Sequence, residues 1–573
     1  MSKMINKKDV IRLLEKIAIY MELKGENPFK IIAFRKAAAG LEKDMRGLSE
    51  IERFTDIPGI GKGTAAIIEE YIENGVSETL EQLMAEVPEG LVPLLKLPGL
   101  GSKKISRLYK ELGIENMESL KKACESNDVS QLKGFGKKTE EKILEAIEQH
   151  GTQPERLPVA YMLRVAEKIE QYLQNMPEIE QFSRAGSLRR LRETVKDLDF
   201  IIATNEPASV KEQILAIEGI HQEIVAGDTK ITLELTGEYM VSVDFRIVKP
   251  EEFATALHHF TGSKDHNVKM RQIAKQRGEK ISEYGVEQVD TGQVRTFESE
   301  AAFYHHFDLP FIPAELRENG SEVDDYHGER LIELQDIKGD LHMHTTWSDG
   351  AYTIKEMVEA CRAKGYEYMV ITDHSQFLKV ANGLTEERVR QQIAEIRQVN
   401  EEYDDITVLA GIEMDILPDG SLDFSDEVLA ELDFVIASIH SSFSQTEEQI
   451  MNRLKTACEN PYVHMIAHPT GRVIGNRDGY KVDMDQLIEL AKRTNTTLEL
   501  NANPQRLDLS YENIKKAKEA GVPIIINTDA HNQSSLDFMK IGISAAKKGY
   551  LQQEDVLNTL PLDQLLHILR SKK

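Results

Sequence analysis

The stretch Gly186–Phe200, GSLRRLRETVKDLDF, decides how the rest of the chain is read. Gly186-Ser187-Leu188-Arg189-Arg190 reads as the start of a helix. Asp197-Leu198-Asp199 runs into the apolar Phe200-Ile201-Ile202 and reads as a strand. Residues i and i+2 of a strand point to one face, so Asp197 and Asp199 stand side by side. Two carboxylates that close repel unless a cation lies between them, and magnesium is the usual partner where phosphates are also bound. The helix start offers backbone N–H groups, the Ser187 hydroxyl and the guanidinium groups of Arg189 and Arg190, which suit a triphosphate. A phosphate cradle facing a metal-binding strand is a frame for nucleotidyl transfer, where positioning and charge neutralisation do most of the catalysis.

The stretch resembles the signature of the polymerase beta-like nucleotidyltransferases, family X. That resemblance implies that Asp197 and Asp199 hold both catalytic metals, Mg2+ or Mn2+, and that Gly186, Ser187 and Arg190 contact the nucleotide. Downstream, Val241-Ser242-Val243-Asp244-Phe245 alternates so that Asp244 lies opposite the apolar residues. An acid in an otherwise apolar strand costs stability unless it is paired or metal-bound. The family carries its third catalytic carboxylate here, so Asp244 is expected to share the metals and to deprotonate or position a primer 3′ hydroxyl. The run His258-His259-Phe260-Thr261-Gly262-Ser263-Lys264 resembles the family's turn against the incoming sugar, with His259, Phe260 and Gly262 as nucleotide contacts and Asn267 at the base edge. His259 stands where a Tyr is usual, and Lys264 where an acid is usual. Glu283-Tyr284 resembles a thumb pair, and LPFIPAELRE from Leu309 the end of the polymerase core.

Length and composition bound the rest. At 573 residues the chain exceeds a single core, and three to five domains are expected. Cys124, Cys361 and Cys458 are scattered and form no CxxC pair, which fits a reduced cytoplasmic protein without a disulfide framework or thiolate zinc site. No apolar run is long enough to span a bilayer, and MSKMINKKDV has no signal-peptide core. A net charge of −26 speaks against nucleic acid at first sight. The charge is uneven: Glu401–Ile450 holds 14 acids and no Lys or Arg, while the first 150 residues are close to neutral. Local patches, not the total, set phosphate affinity.

The N-terminal third is helical in pattern: Val10, Leu13, Leu14 and Ile17 recur at helical spacing, as do Ile67, Ile68, Tyr71 and Ile72. A short repeat runs through it: IPGIGKGTA from Ile57, LPGLGSKKI from Leu97 and LKGFGKKTE from Leu132. Paired glycines allow a tight turn, and the helix that follows aims N–H groups outward. The repeat resembles the helix-hairpin-helix, which grips DNA backbone without reading sequence. Gly59, Gly61, Gly99, Gly101, Gly134 and Gly136, with Lys103, Lys104 and Lys137, are the expected DNA contacts; Lys138 lies beside them. In polymerase beta relatives with lyase activity a nucleophilic lysine follows the first hairpin. Here that position is Ile67, a supporting lysine is Gly63 and an aromatic hydroxyl is Phe34, while Lys30 and Lys62 remain. Imine chemistry needs an amine, so lyase activity by the family route is not expected.

Beyond a charged stretch, Leu316–Lys338, strand-like runs each end in a metal-type residue. His342 and His344 come first, with Asp349 after them. YMVITDHS ends at His374, TVLAGIE at Glu413, DFVIASIHS at His440, HMIAHP at His468, and VPIIINTDAH at Asp529 and His531. Functional residues at successive strand ends are the habit of (β/α) barrels. The donors are nitrogen and oxygen only, which suits zinc, manganese or iron. Nine ligands exceed the needs of one ion, so two or three are expected. Such clusters activate water and clamp phosphoester oxygens. The set resembles the PHP (polymerase and histidinol phosphatase) domain, a distorted barrel of seven strands.

The resemblances together are those of the bacterial family X polymerases: a multidomain α/β chain of helical helix-hairpin-helix domains, nucleotidyltransferase palm and thumb, and a distorted (β/α)7 barrel. The expected division is 1–85, N-terminal helical domain; 86–155, fingers with two hairpin motifs; 156–257, palm; 258–316, thumb; 317–338, linker; 339–573, PHP domain. The implied activity is templated filling of short gaps in DNA repair, with metal-dependent 3′–5′ exonuclease and abasic-site incision in the barrel. Implied partners are gapped or nicked DNA and deoxynucleoside triphosphates, with no membrane and a monomeric chain. Two rivals are a small-molecule phosphatase tethered to DNA and a non-enzymatic DNA-end scaffold.

Overall fold

A computed structural model describes residues 7–44, 48, 51, 53–97, 100–150 and 154–572. The chain divides into two compact units, Met1–Pro154 and Glu155–Lys573.

In the first unit the helical spacing of Val10, Leu13, Leu14 and Ile17 becomes the buried stripe of helix Lys7–Lys24, packed on Pro28–Lys43. The glycine repeats share their flanking elements. A 3-10 segment (Phe54–Asp56, Pro93–Lys96 or Val129–Gln131) leads into the glycine pair, and a helix follows at Lys62–Asn74, Ser102–Leu112 or Lys137–His150. The turns share two backbone bonds: Ile57 to Phe54 and Ile60 to Ile57, Leu97 to Leu94 and Leu100 to Leu97, Leu132 to Val129 and Phe135 to Leu132. Gly59 and Gly134 have φ of +98° and +92°, where a side chain is strained. Gly99 lies outside the described residues.

The second unit begins with a mixed sheet. Its strands are β1 (Gln181–Arg184), β2 (Asp197–Ala203), β3 (Ile220–Ala226), β4 (Lys230–Leu235) and β5 (Val241–Val248), ordered β1-β2-β5-β4-β3. β2 and β5 run parallel, in the register that sets Asp199 beside Asp244. Helix Val159–Gln174 buries Met162, Leu163, Ala166 and Ile169 in the same apolar cluster as the sheet's Phe200 and Phe245.

Seven parallel strands follow in sequence order: β6 (Gly339–Asp340), β7 (Tyr368–Ile371), β8 (Thr407–Asp415), β9 (Phe434–Ser438), β10 (Met465–Ile466), β11 (Thr497–Asn501) and β12 (Ile524–Asn527). Just past β6 and β12 the His344 N–H donates to Ala530 O (2.8 Å) and the Ala530 N–H to His342 O (3.3 Å), which draws the two edges into a nearly closed barrel. Alternate residues split between two faces. Val370, Leu409, Ile436, Met465 and Ile525 share one core with Leu565 and Leu569 of the C-terminal helix. Ile371, Ala410, Val435, Leu498 and Ile526 meet the outer helices. Burial on both faces explains why β7, β9, β10 and β12 read as apolar runs.

The stretch 317–338, expected as the linker, is packed against its neighbours. Arg317 and Glu322 are buried, Val323, Tyr326 and Leu331 belong to the thumb core, and Ile332 and Ile337 to the cluster shared by sheet and barrel. The charges that suggested a linker are consumed internally. Arg317 donates to Glu300 (2.5 Å), and Glu322 lies 2.7 Å from His266 Nδ1.

Candidate active sites

In the palm, Asp197 and Asp199 flank the buried Leu198 on one face of β2, with Asp244 beside them on β5. Gly186, φ +59°, opens the one-turn helix Gly186–Arg189, and a Cβ there would stand 2.0 Å from Asp199 Oδ2. Only glycine lets the helix start come this close to the carboxylates. Two residues of β4, not singled out in the sequence, engage Asp244: Thr232 Oγ1 donates to Oδ1 (2.6 Å), and Lys230 Nζ lies 2.9 Å from Oδ2. Their signal was the strand itself, since Thr232 is the cross-strand partner of Asp244.

The two arginines are not free. Arg189 donates to Glu300 Oε2 (2.6 Å) and Thr261 Oγ1 (2.8 Å), and Arg190 donates to Thr261 O (2.7 Å). They clasp the thumb turn to the palm. Phe260 lies under the Arg246 guanidinium, 4.7 Å from its ring centre, with the His259 ring beside it. Asn267 Nδ2 donates to His259 O (2.7 Å) and Gly262 O (3.2 Å), while its Oδ1 is buried without a hydrogen-bond partner. A minor-groove acceptor needs that amide donor, so reading a base requires its release from the turn.

In the first unit Gly61 and Gly101 are the N-cap residues of their helices, and Lys103, Lys137 and Lys138 are exposed. Lys104 and Arg107 both stack on Phe135 of the third turn, each 5.7 Å from its ring centre. Ile67 packs partly buried on the helical core and offers no amine. Phe34 is buried, and the exposed Lys30 lies 3.7 Å from Glu26.

At the C-terminal end of the barrel all nine expected ligands converge. Among the described residues three groups have ligand atoms within 4.8 Å of one another: His344, Asp349, His374 and His531; His342, His344 and Asp529; His374, Glu413 and His440. Glu413 is the hub. Its oxygens lie 2.9 Å from His374 Nδ1, 3.4 Å from His342 Nε2, 3.3 Å from His440 Nε2 and 3.0 Å from His468 Nε2. His342 Nε2, both nitrogens of His344 and His374 Nδ1 are buried without hydrogen-bond partners. Orphaned buried donors facing carboxylates fit metal ions, two or three in number. Burial works against charge on Glu413, yet His440, His374 and His342 hold it well below the usual carboxylate range. Burial, with His531 and His374 beside it, pushes His344 down to about 3, a neutral ligand at any physiological pH.

Sequence reasoning missed Glu499. It lies buried on β11, 2.7 Å from His342 Nδ1, and accepts from the His468 N–H (2.7 Å). An acid inside Leu498-Glu499-Leu500 was the available signal, the same as for Asp244. Asp415, 3.3 Å from His440 Nδ1, acts likewise on that ring. Such partners fix the tautomer and aim of a ligating imidazole.

The chain is 62% identical over 567 residues to the DNA polymerase/3′-5′ exonuclease PolX of Bacillus subtilis (strain 168), covering 99% of this chain and 100% of that one. The chain belongs to the family X DNA polymerases. Within this family X polymerase, residues 256–318 match the DNA polymerase beta thumb, and 5–77 a helix-hairpin-helix domain. Residues 51–113 and 91–149 match a SAM-like helix-hairpin-helix tandem, and 340–503 the PHP domain. The barrel alone resembles probable phosphatases. One, from Thermoanaerobacter sp. (strain X514), is 29% identical over 245 residues, 41% of this chain and 95% of its own. Another, from Acetivibrio thermocellus, is 33% identical over 205 residues, 34% of this chain and 78% of its own. Among the described residues no helix is long and apolar enough to cross a membrane.

One carboxylate of the palm, Asp199, carries a pH signature. Burial, then Asp197 and Asp244, raise Asp199 to about 7. Its unfolded value is about 3.9. The folded state therefore holds the extra proton between these values, and this contribution to stability is lost as pH rises through about 7. A divalent cation competes with that proton. The magnesium-induced rise in Tm is expected to be larger at pH 8 than at pH 6, and the pH dependence should vanish in Asp199→Asn. Differential scanning fluorimetry of both proteins checks this; an equal gain at the two pH values contradicts it.

Proposed function

We propose that this chain fills short gaps in DNA by templated synthesis and trims or unblocks 3′ ends in its barrel. The observation that carries the reading is the pair of separate carboxylate constellations. Asp199 and Asp244 lie in register on β2 and β5 with Asp197 on the same face, and eight clustered residues, with His468 against Glu413, lie at the barrel mouth.

In the palm, Asp197 and Asp199 would hold magnesium or manganese, shared with Asp244. Ions there neutralise triphosphate charge and polarise the reacting oxygens. Ser187 and the N–H groups beside Gly186 orient the phosphates, and Arg190 fixes the turn that carries Phe260 and Gly262. Phe260 supports the sugar. Asp244 receives the proton of the primer hydroxyl at the oxygen now held by Lys230. In the barrel, His342, His344, Asp349, His374, Glu413, His440, His468, Asp529 and His531 would hold manganese or zinc for phosphoester hydrolysis. The phosphatase-like relatives of the barrel favour 3′-phosphate removal beside nucleotide excision. The hairpin turns around Gly59 and Gly61, Gly101 and Gly134, with Lys103, Lys104 and Lys137, hold DNA backbone on both flanks of a gap.

The test is incorporation of one templated nucleotide into a gapped duplex with a 5′ phosphate, compared with an open primed template. The gap is expected to be the better substrate. Replacing Lys103 and Lys104 together by Ala should weaken binding on all sequences alike and flatten the salt slope by about one to two. No incorporation on any primed duplex leaves a phosphatase or a scaffold and overturns the proposal.

A further inference from the structure

Two cations of the barrel reach the loop that carries the palm's phosphate-side residues. Lys548 ends helix Met539–Lys548 and is 7% exposed. Its Nζ donates to Glu318 Oε1 (2.8 Å) and to the carbonyl of Arg190 (3.1 Å). Glu318 also lies 3.5 Å from Arg190 Nε and 3.2 Å from Arg192 Nη1. One carboxylate thus gathers three cations, and the ammonium grips the peptide that caps the one-turn helix Gly186–Arg189. From the other side, Arg472 Nη2 donates to Glu193 (2.8 Å). Arg190 in turn holds the last residue of helix Phe253–Thr261, just before Gly262. The chain runs without a gap from barrel to nucleotide turn: Lys548, Glu318, Arg190, Thr261.

A buried ammonium is costly to desolvate, and an apolar side chain of the same length fills such a space without that cost. What the charge adds is the fixed direction of two hydrogen bonds, both ending on the palm loop. We propose that Lys548 is a positioning residue for nucleotide incorporation: the barrel sets the loop that cradles the triphosphate, so the hydrolase half is a working part of the polymerase half. This rests on the reading of Gly186, Ser187 and Arg190 as nucleotide contacts.

Steady-state incorporation into a one-nucleotide gap with a clean 3′ hydroxyl tests the proposal in the full-length protein. Lys548→Met is expected to raise the KM for the deoxynucleotide about tenfold while kcat stays within about twofold. Nuclease activity of the same preparation, which reports a folded barrel, should be unchanged. Lys548→Arg should restore most of the KM. An unchanged KM in Lys548→Met with normal nuclease activity overturns the proposal. If Lys548→Met loses both activities, Glu318→Gln, a near-isosteric change, decides: a raised KM upholds the proposal and an unchanged one overturns it. Asp199→Asn run alongside separates the two readings. If it is inert while Lys548→Met is normal, only this inference fails; if it still incorporates nucleotide, the palm reading fails with it.

Discussion

Asp199→Ala is expected to lower nucleotide incorporation by at least roughly 10³-fold and to leave 3′-end hydrolysis within about twofold. The size of the loss follows from position. Asp199 sits beside Asp197 and Asp244 and against Gly186, so it faces both the other carboxylates and the helix start at Gly186. The selectivity follows from topology. The two constellations are built on different sheets, and none of the nine barrel ligands lies in the palm. Removing a mutually repelling carboxylate should not unfold the metal-free protein, so the loss will not be one of folding. Parallel extension and nuclease time courses on one labelled duplex measure both numbers. Loss of both activities in a folded protein would mean that the two sites are not independent.

His344→Ala is expected to do the reverse. The ring contributes to two of the three ligand groups, and both its nitrogens are buried without hydrogen-bond partners. No other side chain in the cluster is so fully dedicated. Its loss should cut hydrolysis by about 10²-fold or more, in line with loss of a ligand rather than of an outer partner. On a gapped duplex with a 3′ phosphate, the unaltered protein with manganese and deoxynucleotides should yield extended product. His344→Ala should extend a clean primer normally and stall on the blocked one. Processing of the blocked end at the unaltered rate would remove the barrel from the reaction.

Much of this architecture is legible in the amino-acid sequence. The barrel strands announce themselves because parallel strands buried on both faces are continuous apolar runs, and each run ends where a ligand begins. Gly186 and the Asp pair announce themselves because strand period two fixes their geometry. The exception among the strands, β11, is hidden because Glu499 breaks its apolar run and because it ends in no ligand of the cluster. Leu316–Lys338 misleads because composition reports charge and not pairing. Its acids and arginine find partners such as Glu300 and His266, which only tertiary structure brings near. The same is true of Arg189 and Arg190, whose partners lie in the thumb, and of Lys230, whose claim on Asp244 depends on strand register.

One apolar cluster takes in residues of both the palm sheet and the barrel's outer layer. With no slack tether between them, neither catalytic centre can swing to meet a stationary primer end. On the proposed function the DNA would do the travelling: a 3′ terminus would leave the palm and enter the barrel mouth. Trimming and extension then compete as exits from one bound complex. On that reading the nucleotide pool would set the outcome, because bound triphosphate would hold the terminus in the palm. A paired, hydroxyl-bearing end is retained and copied, whereas a frayed or phosphorylated end, which the palm cannot use, drains toward hydrolysis. Trimming would then be a race decided by residence time, sharper as nucleotide runs short.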